Sequence, residues 1–329
     1  MNPTSTRPID ESAVDRTRGP GGRTDEPDIP PSGRLSRLAS ARLSRSIGAQ
    51  PFVPPVFAPT TETERGRLLD EYPYVRVGDG PRTLVVLPGF GDAMFDGDYP
   101  PAAAWALGAY YRRLADEYAV YLLSRPRGLP EGQTIGEMAD GHARVFEEAL
   151  GPASVLGLSM GGMIAQRFAA RRPDLVERLV LGVTGGRVDE EGRPIVRRME
   201  RDARERDWFS IRAELARRMF SDWRRFLYPP MIQSAGRFVL PRPAVASDVW
   251  VSLRAILEYD GTDELGEIEV PTLVVVGTDD VFFPERTLRE TAEGIPDAEL
   301  HLIRGAKHGA FHERKREFDA RVAAFLDAR

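Results

Sequence analysis

Hydrophobic and polar positions change their rhythm several times along this chain. From about residue 72 to 183, short apolar runs alternate with longer segments of helical period. YVRV (74–77) alternates as a half-buried strand does, and GDGP (78–81) reads as a turn. TLVVLPGF (83–90) is a continuous apolar run stopped by Pro-Gly, the pattern of a parallel strand buried on both faces. A helix is predicted over 102–118, a strand over 119–124, and a helix over 134–150 that opens on a capping box of Thr134 and Glu137. A short run at 154–156, a helix over 160–171 closed by Pro173, and a strand over 177–183 continue the series.

The alternation lapses between about 186 and 265. There Trp208, Ile211, Leu215, Met219, Trp223 and Phe226 recur at steps of three and four, which predicts one amphipathic helix. Strand patterns return at 271–277 and 298–303, and a final helix sets Phe311, Phe318, Val322 and Phe325 on one side. Strand–helix alternation of this kind predicts an α/β fold, a mostly parallel, doubly wound sheet. The middle region reads as a mostly helical insertion over one end of it. The expected division is a core of 61–185 and 266–329 with a helical cap or lid of 186–265.

Residues 1–60 hold ten of the 27 prolines and no sustained period. Such a segment buries too little apolar surface to offset its ordering entropy, so a largely disordered tail is expected. Within it, GRLSRLASARLSRSIG (33–48) interleaves Arg and Leu as a basic amphipathic helix would. Arg42, however, falls in the apolar sector, and a solvated tail is the preferred reading.

A hydrophobic content of 42% supports a substantial core, and a net charge of −5 gives no reason to expect nucleic acid as a partner. The chain has no cysteine, which removes disulfides, thiol nucleophiles and thiolate metal sites together. With four histidines (His142, His301, His308 and His312), a multi-histidine metal site is not expected, and neither metal nor cofactor is called for. No stretch approaches the roughly 20 apolar residues of a membrane span, and the N-terminus lacks an apolar signal core. The expectation is a soluble, cytoplasmic protein acting on a small molecule.

The chemistry concentrates at SVLGLSMGGMIAQ (154–166). Gly157-Leu158-Ser159-Met160-Gly161 has the G-x-S-x-G form of a nucleophile elbow, flanked by a strand and a helix as such a turn requires. Small residues two positions either side of Ser159 keep side chains from colliding across the turn. A serine hydroxyl needs an imidazole to take its proton and a carboxylate to hold that imidazole. In this architecture the chain order is Ser, acid, His. Downstream, Asp280 follows one strand and His308 follows the last. His301 falls within a strand, His312 is expected to start a solvated helix, and His142 is read as structural.

With these residues in order, the sequence resembles the α/β-hydrolase fold superfamily over about 72–329. The likeness rests on Gly157–Gly162, on Gly277-x-x-Asp280-x-x-x-Pro284 and on Gly305-x-x-His308-Gly309. It implies a serine hydrolase branch similar to small carboxylesterases and lactonases, with a helical lid inserted before the acid-bearing strand. Serine rather than aspartate at 159 sets aside the haloalkane dehalogenase and epoxide hydrolase branches. The resemblance favours Asp280 over the adjacent Asp279 as the acid. It also implies an oxyanion hole of the Phe90 and Met160 backbone N–H groups, although Pro88 stands where such proteins usually carry His. The function implied is hydrolysis of an ester, lactone or related carbonyl substrate. Carbon–carbon bond hydrolysis, acyl transfer and, in another class, a non-catalytic ligand-binding protein are the alternatives.

Three further features have sharp and bland readings. Asp92, just past the oxyanion loop, either contacts substrate or caps the next segment. Residues 193–225 carry 11 arginines against six acidic residues, which either reach a substrate carboxylate or form a solvated helical face. Trp208, Met219, Phe220, Trp223, Phe226 and Tyr228 either line an acyl pocket or pack the lid.

Overall fold

The apolar runs become the inner strands of one eight-stranded sheet. The computed structural model describes residues 61–95 and 97–328, so the readings of 1–60, including the basic helix at 33–48, lie outside the described residues. Strands β1 (Thr63–Leu68), β2 (Tyr72–Val77), β3 (Arg82–Leu87), β4 (Tyr118–Leu123), β5 (Ala153–Leu158), β6 (Val176–Gly182), β7 (Thr272–Gly277) and β8 (Ala298–Ile303) lie in the order β1-β2-β4-β3-β5-β6-β7-β8. The β1–β2 and β2–β4 pairs are antiparallel and every other pair is parallel. Strands β5 and β7 are buried at every position, as continuous runs covered on both faces should be.

Helices α1 (Pro101–Ala115), α2 (Ile135–Val145) and α3 (Met160–Arg171) connect β3 through β6. Helix α9 (Glu285–Gly294) joins β7 to β8, and α10 (Ala310–Glu313) and α11 (Lys315–Leu326) end the chain. Helix α1 packs beside α11, and α2 beside α3. The capping box at the start of α2 is present: the Glu137 N–H donates to Thr134 Oγ1 at 3.2 Å and the Thr134 N–H to Glu137 Oε2 at 2.8 Å.

Between β6 and β7 the chain builds α4 (Arg193–Arg204), α5 (Trp208–Met219), α6 (Arg224–Gln233), α7 (Gly236–Val239) and α8 (Ala246–Glu258). The two ends of this insertion meet in a β-bridge between Arg187 and Asp260 and in a hydrogen bond from Gly261 N–H to Gly186 O at 2.9 Å.

Three expectations need correction, and one strand went unpredicted. The periodicity through Phe226 predicted one helix, but the chain breaks after Met219 and restarts at Arg224. Ser221 is drawn out there by Glu313, whose carboxylate accepts from its N–H and its hydroxyl, both at 2.9 Å. The second is β2, which is nearly all buried rather than half-buried, since it has strands on both sides and α1 and α2 residues over it. Third, the helix predicted to 150 closes with a wider turn over Phe146–Leu150. Last, β1 carries no sequence signal, because TERGRL is mostly exposed and polar at the sheet edge.

His142 on α2 is buried, as a structural histidine should be. Its Nδ1–H donates to the Met138 carbonyl at 2.7 Å, and Tyr72 meets its ring edge-on. Burial pushes its pKa down to about 4. Below pH ~6.5 an unfolded chain binds a proton that the folded chain refuses, so stability is full above that pH and falls as pH drops toward 4. Between pH 7 and 4.5 the loss from this residue should be on the order of 2 to 3 kcal/mol. Urea midpoints at the two pH values check it, and His142→Gln should reduce the difference.

Candidate active site

Everything chemical sits at the carboxyl ends of β3, β5, β7 and β8. Chain order reverses around β3, which has β4 on one side and β5 on the other, and such switch points are where open α/β sheets bind ligands. The turn from β5 into α3 holds Ser159 at φ +52°, a left-handed conformation that costs a non-glycine residue of order 1–3 kcal/mol. The close approach around it explains the neighbouring glycines. A Cβ on Gly157 would lie 2.6 Å from the Gly161 carbonyl oxygen, and one on Gly161 would strike the Leu87 carbonyl.

Ser159 Oγ lies 2.9 Å from His308 Nε2, and His308 Nδ1 lies 2.8 Å from Asp280 Oδ2. A carboxylate only accepts, so Nδ1 carries the hydrogen and Nε2 is left to accept from the serine. The Asp280 side chain is buried, and its other oxygen accepts from the N–H groups of Phe282 at 2.9 Å and Phe283 at 3.3 Å. The Phe282 ring meets the imidazole edge-on and the Phe283 ring stacks against it. Asp279, by contrast, is exposed, with the Thr278 hydroxyl as its partner.

Met160 opens α3, and Phe90 opens a short 3₁₀ turn over Phe90–Met94. First-turn N–H groups have no partner within their own helix, so both are available to a developing negative charge. Gly89 packs against Ser159; a Cβ there would lie 3.2 Å from Ser159 Cβ. The loop is held from behind by Arg125, whose guanidinium donates to the Pro88 carbonyl at 3.0 Å and the Gly89 carbonyl at 3.1 Å.

Asp92 borders the larger cavity, and its side chain is held by partners from beyond its own turn rather than capping it. Its buried carboxylate accepts from the Ser124 hydroxyl at 2.7 Å, the Arg125 N–H at 3.2 Å and the Arg127 guanidinium at 3.1 Å, with Arg125 Nη2 3.6 Å away. Burial alone would raise its pKa, but the two guanidinium groups and the hydroxyl outweigh burial and hold the carboxyl below the usual range. Burial likewise lowers the pKa of Arg125.

His312 is the third residue of α10 and is exposed, in keeping with the solvated helix expected there, while its ring packs near Phe311 and Tyr110 and borders the larger cavity beside Ser159. His301 lies in β8, partly exposed, 3.5 Å from Glu317.

The insertion is fastened to the histidine loop. His308 N–H donates to the Arg218 carbonyl at 3.3 Å and Gly309 N–H to the Met219 carbonyl at 2.9 Å. Glu313 bonds Lys307 N–H as well as Ser221, tying the loop to the segment between α5 and α6. None of the bonds to the insertion was visible in the sequence, since each joins residues about 90 positions apart.

A model of the alpha/beta hydrolase family matches residues 84–324. This chain belongs to the alpha/beta hydrolase family. It is an enzyme of that family. Among solved structures, the enol-lactonase from Burkholderia xenovorans LB400 aligns with a TM-score of 0.63 at 22% identity, covering 80% of this chain and 100% of that one. In sequence the hydrolase is 29% identical over 274 residues to the 2-hydroxy-6-oxononadienedioate/2-hydroxy-6-oxononatrienedioate hydrolase of Klebsiella pneumoniae, covering 76% of this chain and 88% of that protein. It is also 29% identical over 268 residues to the polyketide synthase ThaQ of Burkholderia thailandensis, of which it spans 12%. No helix among the described residues is long and apolar enough to cross a membrane.

Proposed function

We propose that this alpha/beta hydrolase is a cofactor-free serine hydrolase that cleaves an ester or lactone through an acyl-enzyme. The observation that carries the reading is the unbroken chain of contacts from Ser159 Oγ to His308 to Asp280, 2.9 and 2.8 Å long. Ser159 attacks the carbonyl carbon while His308 Nε2 takes its proton, and Asp280 steadies the imidazolium that results. The N–H groups of Met160 and Phe90 hold the oxyanion, and His308 then protonates the leaving group. Water, activated by the same imidazole, releases the acid. The core is 61–185 with 266–329, and 186–265 is a cap over the site.

Carbon–carbon cleavage and acyl transfer draw on the same three groups. The Klebsiella relative's name points to the first and that of ThaQ to the second, so the test must read products as well as rate. Wild-type enzyme is offered p-nitrophenyl esters of graded chain length and simple lactones, with and without an alcohol or thiol acceptor. The expected result is free acid as the product, with a fluorophosphonate probe labelling Ser159. Products carried wholly onto the acceptor, or no labelling and no turnover, would overturn the reading.

A further inference from the structure

Ser159 and His308 stand where two unequal cavities meet. One is small, about 40 Å³, walled by Met163, Val196, Met199, Leu253 and Ile256. At ~10–15 Å³ per water-sized position, it has room for about three such positions, a methyl or ethyl group rather than a chain. The other is about 510 Å³, walled by Leu107, Tyr110, Met219, Phe311 and His312. It shares Phe95, Ala106, Leu107 and Leu122 with a further cavity of about 570 Å³. A carbonyl carbon at Ser159 therefore has a short berth on one side and a long apolar one on the other.

Neither of the two cavities at Ser159 has a lysine or arginine in its wall. The one acidic wall residue, Asp92, is already matched by Arg125 and Arg127. Four arginines of the cap's middle stretch are engaged elsewhere. Arg212 donates to the Pro241 and Met94 carbonyls, Arg217 and Arg218 pair with Glu214, and Arg224 pairs with Asp222. Neither wall offers a substrate carboxylate a cationic partner, and Arg127, in the wall of the further cavity, is already held by Asp92.

From these walls we infer that the substrate class is a neutral ester with one arm of one to two carbons and one long apolar arm. As a reaction this rests on the serine-hydrolase reading; as binding it does not, and the test keeps the two apart. Binding is measured by calorimetry on Ser159→Ala, which keeps both cavities, using methyl hexanoate, hexyl acetate, hexyl hexanoate and the monomethyl hexanedioate anion. The tighter of the two esters with a single long arm should bind at least ~10-fold more tightly than hexyl hexanoate, and more tightly than the anion by a similar factor. Opening the small cavity with Met199→Ala, or with Val196→Ala should the first fail to fold, should recover ~5-fold or more of the binding of hexyl hexanoate. Equal binding of hexyl hexanoate or of the anion overturns the inference. Discrimination in Ser159→Ala with no ester turned over by the wild type would leave it standing and remove the triad reading instead.

Discussion

Ser159→Ala should lose ester turnover almost completely, with kcat falling by about 10⁴- to 10⁶-fold. Among the described residues the hydroxyl is the one nucleophile hydrogen-bonded to His308, and the substitution removes it while keeping the Cβ and the backbone of the turn. Two donors at Phe90 and Met160 stay in place, so what survives is the weak catalysis they give to a bound water. Adding His308→Ala to the first change should cost little more, because the two act as a unit. Asp280→Asn should lower kcat by on the order of 10⁴, through the wrong imidazole tautomer. Initial rates on the best p-nitrophenyl ester read all three, beside a melting curve that shows each variant folded. A Ser159→Ala enzyme that kept a tenth of wild-type turnover would end the acyl-enzyme mechanism.

Asp92→Ala should have the largest effect on stability. It strips a buried carboxylate from between two guanidinium groups and leaves Arg125, with its side chain 2% exposed, without a counter-charge. Breaking a buried pair from one side commonly costs about 3–5 kcal/mol, a large share of the ~5–15 kcal/mol by which domains are stable. Arg125 also grips the Pro88 and Gly89 carbonyls, so the loop presenting the Phe90 N–H loosens at the same time and kcat falls in whatever enzyme folds. Asp92→Ala with Arg125→Met should be less damaging than the sum of the two single changes, because the double variant no longer buries the lone Arg125 charge next to the loop, while Arg127 loses its partner in both backgrounds that lack Asp92. Denaturant midpoints for the four proteins supply the cycle; simple additivity would deny that the two residues interact.

Much of the fold could be read from the chain because a parallel strand covered on both faces needs apolar residues at every position. TLVVVG in β7 is one unbroken signal for that reason. The edge strand β1 gave no signal, since its exposed side chains need not be apolar and its pairing is made by backbone groups every residue carries. The break at Phe220 was hidden for a different reason. The 3.6-residue period continues through it, and what stops the helix is a carboxylate 92 residues further on. Ser159, Asp280 and His308 each follow a strand in the chain, so their meeting follows from sheet order. The ion pairs of Asp92 were hidden because Arg125 and Arg127 arrive at the same place from the end of another strand.

The stitching of α5 to the loop that carries His308 restricts how this enzyme admits its substrate. A door hinged at α5 would pull the imidazole away as it swung, disarming the proton relay for as long as the entrance stayed open. An entrance opening beyond Ser221, at α6 and α7, would leave that loop and its imidazole in place.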